Sequence, residues 1–194
     1  MAEQGKGARN QVVANIVTTE TIIVGTVDLP VVSVPATGQA AFNVRLLDLL
    51  NNPRLGSVQA DRIRDSVVLT AASILPPDGP PIAVSARELF VRPESIICAY
   101  EHDAARRPGD MAFNEKQPQR PERVVVITSN GLLLEGTFLG GANTLAAPKQ
   151  KRFVPLVDVT LAQSDRPQTR LSVPFIALNY DAIVAFSTGE GAVR

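Results

Sequence analysis

Laid over itself, the 194-residue sequence repeats. Val12–Thr26 lies over Arg123–Thr137 at a constant offset of 111, both blocks ending in Gly-Thr, and Ser66–Glu101 lies over Phe153–Thr188 at an offset of 87 without a gap. In the second block Leu69 meets Leu156, Asp78 meets Asp165, Pro80 meets Pro167, Glu94 meets Asp181 and Ile96 meets Ile183. The difference between the offsets places an insertion of 24 residues in the first copy. A chain that repeats at this length must build two similar units, each too small to hold a large core alone.

The units read as β. Val and Ile together number 34 and Thr adds 12, and they fall in short runs separated by Gly, Pro, Asn and Asp. The runs are 11–17, 21–27, 66–74, 88–91 with 96–100, 124–128, 132–138, 154–161, and 171–178 with 183–186. Ser129-Asn130-Gly131 supplies the positive-φ residues of a tight hairpin, and Asp78-Gly79-Pro80 and Asp165-Arg166-Pro167 mark the next turn of each copy. One helix is expected inside the insertion, near 40–53, where Phe42, Leu46, Leu49 and Leu50 recur at the helical period and Asn51-Asn52-Pro53 stops it; two to three turns would plug one end of a barrel.

The expected fold is therefore all-β: two tandem small SH3-like or Sm-like β-barrels related by internal duplication. A polar tail covers 1–10, the first barrel 11–101 with its helical insertion at 38–53, a proline-rich linker 102–122, the second barrel 123–188, and a second tail 189–194.

The helix segment carries the one motif. Arg45-Leu46-Leu47-Asp48-Leu49-Leu50-Asn51, between a Gly-containing hairpin and the strand at 67–74, resembles an uncharacterised bacterial family of small β-barrels with an Arg-x-x-Asp-x-Leu-Asn pattern. The second copy has Lys149-Gln150-Lys151-Arg152 at that place. On a helix Arg45 and Asp48 share a face and can pair, and Asn51 can bond free carbonyls at the helix end. A structural cap is the leading reading, and a partner surface of Arg45, Asp48, Leu49 and Asn51 is the functional one.

Chemistry is sparse. The 19 Lys+Arg balance 19 Asp+Glu, so no bulk field draws nucleic acid or anionic lipid. With one His and one Cys there is no zinc-ligand set and no internal disulfide. His102 reads as a solvated residue at the linker start and Cys98 as a small buried hydrophobe in a strand. No phosphate-binding loop occurs, and Arg166-Pro167-Gln168-Thr169-Arg170 reads as an exposed turn rather than an arginine clamp. The apolar runs are too short to span a bilayer and the first residues carry no leader pattern, so a cytoplasmic, soluble protein without membrane insertion is expected.

These readings converge on a non-catalytic scaffold or adaptor that needs no cofactor, acts through protein–protein contacts and self-associates into a homo-oligomer. The alternative is a small-barrel regulator binding nucleic acid or a nucleotide, with Arg106, Arg107, Lys149, Lys151 and Arg152 as anion contacts.

Overall fold

The computed structural model describes residues 9–32, 42–55, 65–102, 121–138, 151–164 and 166–188. The first half contributes β1 (Arg9–Thr18), β2 (Ile22–Val32), β3 (Phe42–Asn43), α1 (Leu46–Asn51), β4 (Val67–Leu75), β5 (Ile82–Ala83), β6 (Leu89–Val91) and β7 (Ile96–Glu101). The second contributes β8 (Glu122–Thr128), β9 (Leu132–Phe138), β10 (Phe153–Gln163), β11 (Arg166–Asn179) and β12 (Ile183–Thr188). Single-turn 3₁₀ segments, Pro93–Ser95 and Tyr180–Ala182, precede β7 and β12.

All twelve strands join one open antiparallel sheet in the order β12-β8-β9-β10-β11-β7-β1-β2-β4-β5, with β3 added to β2 and β6 to β4. The all-β expectation holds. Hydrogen bonding does not close each half on itself: β7, the last strand of the first half, pairs with β11 of the second, Ala99 opposite Ala177 and Cys98 opposite Leu178. The array thus runs unbroken across the two halves.

Each half follows one plan. Shifting β4, β6 and β7 by 87 reproduces the pairings of β10, β11 and β12: Val67↔Val91 becomes Val154↔Leu178, and Ile16↔Ala99 becomes Val126↔Phe186. The offset of 111 holds for β2 over β9 but is 110 for β1 over β8, because the second hairpin turns through one more residue: Val17 pairs with Ile22, Ile127 with Leu133. Gly131 alone in that turn takes a positive φ, 78°.

A bulge is repeated too. Ala71 and Ala72 together oppose Gly25, and Asp158 and Val159 together oppose Gly136. The first residue of each pair is left-handed, Ala71 at φ 49° and Asp158 at φ 51°, equivalent positions under the offset of 87. The bulges bend β4 and β10, and the curled strands come so close to the facing glycine that a Cβ there would meet Leu69 Cδ2 or Val159 Cγ2 at 2.9 Å. The Gly-Thr shared by the copies is thus a packing requirement.

Several local expectations change. The helix is six residues, not two to three turns, because Phe42–Asn43 pairs with Val31–Val32 as β3 and leaves only the stretch after Arg45. Leu46, Leu47, Leu49 and Leu50 are all buried, so the helix is apolar around most of its circumference, and it ends before Pro53 as expected. β1 begins at Arg9 and β8 at Glu122, inside the expected tail and linker. Arg166–Arg170 is the start of β11, not a turn. Most of the expected linker, 103–120, lies outside the described residues.

There are two apolar cores, and each borrows from the other half. The first gathers β1, β2, α1 and β4 but includes Phe153 of β10 and Ala177 of β11. The second gathers β8 to β11 but includes Val17, Ile97, Cys98 and Tyr100.

Replacing Gly25 by Ala is expected to lower stability by about 1–3 kcal/mol through overpacking against Leu69, whereas Ala71→Gly, which relieves the left-handed backbone, is expected to raise it by about 1 kcal/mol. Urea denaturation of the two variants checks both signs.

Candidate functional site

The two neighbours of strand β7 belong to different halves. Its residues Ile96 to Tyr100 are buried throughout, covered by β1 on one edge and β11 on the other. Cys98 lies fully inside this joint, and burial pushes its thiol up to about 12, so it stays protonated and unreactive. Burial, and then the neighbouring Cys98, push Tyr100 up to about 12 as well.

Side chains tie the joint from four points. Asn51, the last residue of α1, treats the start of β10 as a strand partner: its Nδ2 donates to the Phe153 carbonyl at 3.0 Å and its Oδ1 accepts from the Phe153 N–H at 2.8 Å. The same Nδ2 donates to Leu47 O at 3.2 Å. Asn179 at the end of β11 is buried and donates to Ile96 O at 2.7 Å. Asn130 donates to Thr18 O at 3.2 Å, and Arg152 forms an ion pair with Glu94.

The helix motif belongs to this joint. Arg45 grips Asp48 in a fork, Nε to Oδ2 at 2.9 Å and Nη2 to Oδ1 at 3.1 Å, and Asp48 Oδ2 also accepts from the Arg45 N–H at 3.3 Å. Burial pulls the Asp48 carboxyl upward, but the hydrogen bonds and charge of Arg45 outweigh it and hold Asp48 below its ordinary 3.8. Leu49 is buried in the first core and Asn51 is engaged by Phe153, so these two make internal contacts. Arg45 and Asp48 remain partly exposed beside them.

Of the five expected anion contacts, Lys151 and Arg152 are among the described residues. Arg152 is committed to Glu94 across the joint, Lys151 is exposed next to it, and Arg106, Arg107 and Lys149 lie outside the described residues. His102 is exposed, its Nδ1 3.3 Å from Asn15 Nδ2. Among the described residues no cluster of His, Cys, Asp or Glu could hold a metal ion, and no helix is long and apolar enough to cross a membrane.

What the sequence did not show is at the ends of the sheet. Seven large apolar side chains among the described residues are well exposed, and four of them stand on the end strands: Ile82 of β5, Phe90 of β6, and Val184 and Phe186 of β12. Val184 occupies the place of Ile97 under the offset of 87, yet it is 69% exposed where Ile97 is 5%. The only signal for this in the sequence is that equivalence, and it is informative only once the neighbours of β7 are known. Compared with protein-family models, curated proteins and solved structures, the chain matches none.

Asn51→Ala should destabilise by about 1–3 kcal/mol, since it strands the Phe153 backbone groups, and thermal melts read the loss. A second expectation concerns pH. The folded state holds Asp48 low, so its contribution is full above 3.8 and fades as pH falls through the lower folded value. Arg45→Gln should therefore be less stable than the parent chain at neutral pH and converge on it in acid, as followed by urea midpoints across pH.

Proposed function

We propose that the chain is a non-catalytic structural or adaptor protein that works through protein–protein contacts and self-associates as a subunit of a larger assembly. In this reading each half is a small SH3-like or Sm-like β-barrel unit of the bacterial kind that Arg45–Asn51 resembles, and internal duplication set two of them in tandem in a cytoplasmic protein. The shared pairing plan of the halves supports the duplication.

One observation carries the proposal: the sheet ends at both sides in strands whose outer edges no described residue pairs, and those strands expose Phe90, Val184 and Phe186. Open edges bearing apolar side chains are templates for another chain, and native proteins otherwise blunt them with charge or proline. The two halves already associate in this way, edge to edge, within one chain. The alternative, a nucleotide or nucleic-acid regulator, draws less support because Arg152, one of its cations, is taken by Glu94.

Native mass spectrometry of protein purified without nuclease is the test. A discrete oligomer with no added mass is expected. A bare monomer at high concentration would overturn the proposal, and a monomer carrying nucleotide or RNA would put the anion-binding reading in its place.

A further inference from the structure

The joint inside the chain is heterologous: the fourth strand of one unit, β11, meets the fifth strand of the other, β7. Such a contact uses two different surfaces, so each unit keeps one of them free when it has used the other. Here the first unit keeps its fourth strand, β6, and the second keeps its fifth strand, β12. Neither edge has a described partner, and they are the two surfaces that fit one another.

The geometry points to a second copy of this chain as the occupant of each edge, joined head to tail with β6 of one chain antiparallel to β12 of the next, in the register of the internal joint. This rests on the self-association reading above and specifies its surfaces. Shifting the internal pairs by 87 gives the register directly. Ala177↔Ala99 becomes Phe90↔Phe186, and Leu178↔Cys98 becomes Val91↔Ala185, the second residue of each pair lying on the next chain.

The residues at those places support the match. Phe90 and Phe186 are 42% and 40% exposed, and the register sets them directly opposite one another, an arrangement favoured for aromatic side chains across strands. At the internal joint the equivalent pair is two fully buried alanines packed in the first core with the leucines of α1. Connection lengths explain the exchange: α1 arises in the long connection, residues 33–66, whereas the corresponding connection in the second unit is only residues 139–152. Two phenylalanines thus stand where the other joint has two small residues beneath a helix. Val184 gains the cover that Ile97 has from the second unit, and Arg92 stands at the place of Asn179, with donors for the Ile183 carbonyl of the next chain as Asn179 serves Ile96. The Arg152–Glu94 pair is not reproduced, since Asp65 and Asp181 occupy those positions. The joint between chains is therefore held by apolar contact more than by charge and is the weaker of the two.

The test uses the full chain with Glu88→Cys and Thr188→Cys, exposed positions that continue the same register and spare the phenylalanines, and a short bismaleimide linker; Cys98 is buried and stays silent. The double variant should yield a ladder of covalently joined chains, and neither single variant should join. Self-linking of either single variant would show a two-fold contact and overturn the inference, as would a link formed within one chain. Wild-type mass separates the two proposals: an oligomer whose double variant does not link sinks the register alone, while a monomer sinks both. Phe186→Glu, at a position already exposed, should weaken association by about tenfold or more while keeping the cooperative melt of the parent. Unchanged association in that variant would also overturn the inference.

Discussion

The structure depends on one short contact, the pairing of β7 with β11 around Ala99 and Ala177. Small side chains there let two curled sheets meet edge to edge with a helix laid over the seam. Everything that makes the molecule one body follows from it: Phe153 and Ala177 complete the first core, and Val17, Ile97, Cys98 and Tyr100 complete the second. Neither half has a full core of its own. That is the usual difficulty of a unit this small, met here by sharing.

Polar groups then fix the joint in one register. Apolar burial is permissive about sliding, because one aliphatic contact can replace another. Asn51 and Asn179 are not permissive: each satisfies specific backbone groups of the opposite half, and a slip would leave those groups buried without partners. The motif at 45–51 is best understood as the anchor of this device, with Arg45 and Asp48 holding the helix start while Asn51 reaches across.

Strands were legible because β-branched runs and Asp-Gly-Pro punctuation report local geometry, and the offset of 87 was legible because it spans a stretch whose core positions repeat. The one-residue difference in the hairpins was not, since Thr19-Glu20 and Ser129-Asn130-Gly131 turn equally well at different lengths. The helix was overestimated because Phe42 fits a helical period as readily as it fits β3. The joint left no trace in the sequence at all. Ile96-Ile97-Cys98-Ala99-Tyr100 and Ile183-Val184-Ala185-Phe186-Ser187 are both ordinary strand sequences, and only the neighbour decides that one is interior and the other an edge.

Cys98 gives that interior strand a further property. Its thiol is sealed by the very contact that unites the halves, and nothing else in the sequence can react with a thiol reagent in its stead, as it is the single cysteine of the chain. Its chemistry is therefore silent while the seam is shut and awakens when β11 lifts from β7. The molecule carries its own clock for that motion: the pace at which Cys98 is alkylated reports how often its two halves let go of one another.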